Sequence, residues 1–244
     1  VHMVNVGGDF SVNEIFTTDT YKAEVKALES KLEDIPDGVD RYTFASCVWC
    51  FNKIREGNGL GIFCHPYWFC NHQYDVPENF TDMLLEAQPY DALEIIGGYF
   101  RFQIESNTLA VARYYDERSK GKKIPVVGAS DSHGTAESDL FGWYYTIVLA
   151  KSPKREDVIN GIKSLYSVAI ESVPGEATRA YGPFRLVKYT QFLIREIFPL
   201  HDAVCEDEGK LMMAYIAGDE NAKQRLKGCK GKVEELYSRL WAAK

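Results

Sequence analysis

The chain has 244 residues, 45% apolar and 26% charged, enough to bury a sizeable core as one large α/β domain or one domain with an appendage. Its net charge of −7 and pI near 5.4 argue against a nucleic-acid backbone as the main partner, and no apolar run approaches the ~18–20 residues of a membrane span. Six cysteines without small-domain spacing suit free thiols in a reducing compartment, so a cytoplasmic protein is expected.

Short apolar strands alternate with amphipathic helices along the chain. "VHMVNVGG" (1–8) reads as a strand entering a glycine turn. Residues 20–34 place Val25, Leu28 and Leu32 on one helical face, which Pro36 ends. Residues 41–56 do the same with Phe44, Cys47, Val48, Phe51 and Ile54, and "EGNG" closes the helix. "GLGIFCHP" (59–66) is a buried strand ending at His65-Pro66. A helix with Met83, Leu84 and Leu85 leads to the strand "DALEII" (91–96), closed by Gly97-Gly98. Residues 105–119 are expected to be helical with Leu109, Ala112 and Tyr115 inward.

"KIPVVGAS" is the next strand and "GWYYTIVLA" (142–150) follows it. A helix over 154–166 and a strand over 166–172 complete the alternation. From residue 184 the pattern is helical throughout, with separators near 199–202 and 217–220 and a last helix over 229–243. Strands alternating with helices predict a parallel sheet, open or closed into a barrel. Chemistry in such folds sits at the C-terminal strand ends.

Ligand-type residues fall at two of those ends. His65 follows "GLGIFC", and Asp131 and His133 follow "IPVVGAS". In an extended segment residues two apart point the same way, so Asp131 and His133 can face one point. A carboxylate and neutral imidazoles suit zinc, manganese or iron. Ser130, Ser132 and Gly134 leave room around them. His2 could add a third imidazole, although it lies at the front of its strand. A D-x-H triplet is also a common turn, in which the Asp side chain bonds its own backbone.

"GLGIFCHPYW", "DALEIIGG" and "VVGASDSHG", in this order and separated by helices, resemble the later motifs of the polymerase-and-histidinol-phosphatase (PHP) superfamily. The likeness covers roughly residues 1–175 and implies an α/β fold, part of a distorted (β/α)7 TIM-like barrel. Residues 176–244 would then be a C-terminal helical extension. The resemblance further implies two or three divalent ions and hydrolysis of a small phosphorylated substrate by metal-activated water. Carried over residue by residue, His2, His65, Asp131 and His133 match metal ligands, and Glu94 matches a supporting acid. Asp131 would also accept a proton from the attacking water. Arg101, in "GGYFRF", is best placed to meet a phosphate, and Tyr67 to stack on a substrate.

The chain departs from the family in lacking the opening H-x-H strand, the second histidine strand and the bridging glutamate. Its five histidines are 2, 65, 72, 133 and 201. It is therefore expected to be the C-terminal part of a longer protein, the alternative being a degenerate relative that serves as a binding or assembly module. An amidohydrolase-like hydrolase is a further alternative, which usually needs an H-x-H and a bridging lysine. The cysteines, Cys47-x-x-Cys50 and Cys64 included, read as core residues. The helices after 184 are expected to cap the site or to form a homo-oligomer surface.

Overall fold

Strands buried along their whole length need cover on both faces, and that requirement organises the first part of the fold. The computed structural model describes residues 1–98, 103–134 and 140–241. In chain order it runs β1 (His2–Val6), α1 (Asp19–Glu29), α2 (Arg41–Glu56), β2 (Leu60–Cys64), β3 (Phe69–Cys70), β4 (Gln73–Tyr74) and α3 (Glu78–Ala87). Then come β5 (Ala92–Ile96), α4 (Ile104–Ser119), β6 (Val126–Gly128), β7 (Tyr144–Val148), α5 (Arg155–Lys163), β8 (Ser167–Glu171), β9 (Arg179–Tyr181) and α6 (Phe184–Phe192). Two compact units divide at Val187/Lys188. β9 pairs with β8, so this strand, just beyond residue 175, belongs to the first unit.

The main sheet has four strands in the order β1-β2-β5-β6. β2, β5 and β6 are parallel and buried at every residue. One face carries Phe63, Leu93 and Ile95 and packs with Phe44 and Phe51 of α2, Leu84 and Leu85 of α3 and Tyr114 of α4. The other carries Leu60, Ile62, Cys64, Ala92 and Val127 and packs with Ile159 and Ile162 of α5. Each large apolar side chain so buried contributes roughly 1.5–3 kcal/mol.

The parallel sheet expected from the alternation holds for these three strands only. β1 runs antiparallel to β2, and β7-β8-β9 form a separate antiparallel sheet. Thr146 of β7 joins the two sheets: its hydroxyl accepts from Gly128 N at 3.0 Å and donates to Gly128 O at 2.8 Å. β1 is half-covered, with Val4 and Val6 exposed.

Local chemistry explains where the elements stop. Asp40 caps α2 by accepting from Thr43 N at 2.7 Å. α1 ends at Glu29, short of the expected residue 34, because the Arg41 guanidinium takes the carbonyls of Glu29 and Leu32 at 3.4 and 2.6 Å. β3 and β4 form a hairpin closed by Asn71 and His72, whose φ angles of 49° and 64° suit a two-residue turn that matches strand twist.

The inward face of α4 differs from the expected one. Ser106, Asn107, Ala110, Tyr114 and Glu117 are buried, while Ala112 and Tyr115 are exposed. Asn107 and Glu117 hold this face because each finds hydrogen-bond partners. Glu117 accepts from Arg113 Nε at 3.0 Å and Lys120 Nζ at 2.8 Å, and Lys122 Nζ lies 2.7 Å from it. Arg113 also binds Glu78 and Asp82 on α3.

The second unit, Lys188–Lys244, is helical. A π-helical segment, Leu193–Ile197, precedes α7 (Phe198–Ile216); α8 (Glu220–Lys227) and α9 (Lys232–Leu240) follow. The break expected near 199–202 is absent: Pro199 sits in the first turn of α7, where its missing N–H costs nothing. In this unit His201 packs on Tyr237 of α9, with ring centroids 5.9 Å apart.

The cationic surroundings hold the Glu117 carboxyl at about 2, against the cost of its burial, below the ordinary value of 4.5. A depressed folded-state pKa contributes stability that is present above pH 4.5 and lost as pH falls toward 2. Glu117→Gln should therefore lower stability by about 1–3 kcal/mol at pH 7, and the gap to wild type should close near pH 2. Urea denaturation at both pH values checks this.

Candidate metal centre

The antiparallel register of β1 pairs His2 with Cys64, the last residue of β2. The front of β1 therefore lies at the C-terminal end of the parallel strands, which removes the difficulty His2 posed in the sequence. His2 Nδ1 lies 2.7 Å from His65 Nε2, and the two rings meet edge-on with centroids 4.9 Å apart. Trp68 packs near both rings, at 5.8 and 6.2 Å.

Two neighbours on a regular strand point to opposite faces. Cys64 and His65 escape that rule because His65 has a φ of +29°, an unusual value for a residue that also precedes a proline. The donor atoms of Cys64, His65 and Glu94 all lie within 4.8 Å of one another. Glu94 comes from the middle of β5, is 2% exposed, and its Oε1 lies 3.3 Å from His65 Nδ1.

The Gly97-Gly98 pair makes room for this arrangement. A Cβ on Gly97 would come within 1.7 Å of Glu94 Oε1, and one on Gly98 within 2.4 Å of both Asp131 Cβ and Ser130 O. Asn107 of α4 fixes the turn, accepting from Gly97 N at 2.9 Å and donating to Gly97 O at 3.3 Å. Close packing on Gly98 brings Asp131 to the same end of the sheet, near enough for its charge to act on His65 and Cys64.

Burial alone would lower the His65 pKa, but the Glu94 carboxylate, with the charges of Asp131 and Asp75, raises it above the usual imidazole value. Burial pushes the Cys64 thiol far up, and Glu94 and Asp131 push it further. Cys47 and Cys50, by contrast, are pushed up to about 12 and about 11, chiefly by burial, and belong to α2 as expected of core thiols.

His65 thus lies against both His2 and Glu94, with Asp131 at the same end of the sheet. The i, i+2 spacing of Asp131 and His133 does not apply here, because Asp131 has a φ of +50° and the segment is not extended. His133 is exposed, and neither it nor Asp131 belongs to the compact donor group among the described residues. Tyr67 is buried rather than open to a substrate, with its hydroxyl on Glu78 at 3.4 Å and its ring on Tyr74. Its neighbour Trp68 is the aromatic beside the imidazoles. Arg101 lies outside the described residues. His72 is spent on the hairpin turn. Cys64 joins this group although its place within a strand assigns it to the core; its position just before His-Pro is the available signal.

No protein-family model matches the chain. No curated protein matches it either. Among solved structures, it is similar to a two-domain protein containing a predicted PHP-like metal-dependent phosphoesterase from Bacteroides vulgatus ATCC 8482, at 16% identity and a TM-score of 0.37. The match covers 49% of this chain and 34% of that one, so the chain spans about a third of that protein's length. The donor geometry, not this slight likeness, bears on function.

Gly97→Ala should displace the Glu94 carboxylate. We expect about 1–3 kcal/mol of destabilisation from overpacking, together with weaker divalent-metal binding. Thermal denaturation and calorimetric metal titration measure the two effects.

Proposed function

We propose that this end of the sheet holds divalent metal and serves hydrolysis of a small phosphorylated molecule. The observation that carries this reading is the meeting of His2 and His65, from neighbouring strands, beside Glu94 and Asp131. Imidazole nitrogens with carboxylates suit zinc, manganese or iron better than the all-oxygen cages of calcium and magnesium.

The chemistry such an ion supplies is Lewis-acid: water activated near neutral pH and charge offset on a phosphoryl oxygen. The chain's own residues do the rest. His65 and His2 would supply imidazole nitrogens, with the Glu94 carboxylate beside the His65 ring, 3.3 Å from its Nδ1. Asp131, exposed at the same end of the sheet, and His133 are assigned to the ion as further ligands, and Asp131 would accept a proton from the water. Trp68 walls one side of the site, and Arg101 is assigned to the phosphate.

The purified protein should contain at least one transition-metal ion per chain by elemental analysis, lost in His65→Ala and reduced in Asp131→Ala. Glu94→Gln should cost about 10–100-fold in metal affinity. Metal-dependent phosphate release from a phosphomonoester should be lost together with the metal. A wild-type protein that takes up no metal, or a His65→Ala protein that retains it, would overturn the reading.

A further inference from the structure

We propose that Cys64 is a thiolate ligand of the bound ion, which makes the site one for a thiophilic metal of the zinc type. This rests on the metal reading above and deepens it by naming the ion's chemical class. Cys64 Sγ lies within 4.8 Å of a His65 ring nitrogen and a Glu94 oxygen. Tetrahedral zinc, with bonds of about 2.3 Å to sulfur and about 2.0–2.1 Å to nitrogen and oxygen, holds its donors roughly 3.5 Å apart. A contraction of at most about 1.3 Å converts the group into a coordination sphere.

The position of Cys64 separates it from the other buried thiols. Cys47 lies on α2 among apolar residues of the core. Cys64 ends the row Leu60, Ile62, Cys64 on one face of β2, at the point where the row meets a carboxylate that is 2% exposed. It is opposite His2 in the register and directly before His65, whose positive φ turns the imidazole toward it. The end of β2 and the middle of β5 thus deliver sulfur, nitrogen and oxygen donors to one corner of the sheet. Sulfur is a poor ligand for magnesium or calcium and a good one for zinc, and metal binding deprotonates the thiol. The step balances as loss of the S–H proton to solvent and formation of one sulfur–metal bond.

Cobalt(II) added to the purified full chain tests this, because it reports binding and sulfur ligation separately. Visible ligand-field bands register the ion; near-ultraviolet sulfur-to-cobalt charge transfer registers the thiolate. We expect both in the wild type, with the charge-transfer band lost in Cys64→Ser while ligand-field bands persist. Cys64→Ala serves in its place if the serine variant does not fold. Cys205→Ser should keep the band; it removes the other thiol in contact with an imidazole, 3.5 Å from His201 Nε2. Ligand-field bands without charge transfer, or charge transfer that survives loss of Cys64, would overturn the thiolate and leave the metal reading intact. The absence of any cobalt band would overturn both.

Discussion

The antiparallel seating of β1 on β2 is the constraint on which the candidate site depends. Pairing His2 with Cys64 brings the first strand's leading residue to the trailing end of the second. A parallel β1 would carry His2 to the opposite end of the sheet. A slip of one residue would turn His2 to the other face, because strand side chains alternate. The register is held by five pairs between the strands and by Met3, which packs against the larger core cluster.

Around that pairing, the fold places backbone where side chains need room. His65 takes a conformation that suits few residues before proline, and Gly97 and Gly98 leave space that any Cβ would fill. Asn107 then pins the glycine turn from α4. The Glu117 network does its work elsewhere, tying α3 to α4 through paired charges.

Several elements were legible in the chain itself. The bounds of α2 are those of its apolar pattern, because Asp40 and Gly57 cap it locally. The buried strands β2 and β5 stand out as apolar runs ended by His-Pro and Gly-Gly. The inward face of α4 departs from its apolar pattern for a physical reason: buried Asn107 and Glu117 look like surface residues until their partners are known. The hairpin of β3 and β4 was invisible, since its strands are two residues long and carry no periodicity.

By itself the sequence determined the main alternation of longer strands and helices, the helical character after residue 184, and which strand ends carry histidine and aspartate. Periodicity, capping residues and His-Pro are local, and local chemistry can be read from local sequence. Only the tertiary structure decided that β1 runs antiparallel, that His2 and His65 touch, and that Cys64 belongs with Glu94 rather than solely with the core. Those facts depend on register, on one positive φ and on the space left by two glycines, and none of these has a signature within a single strand.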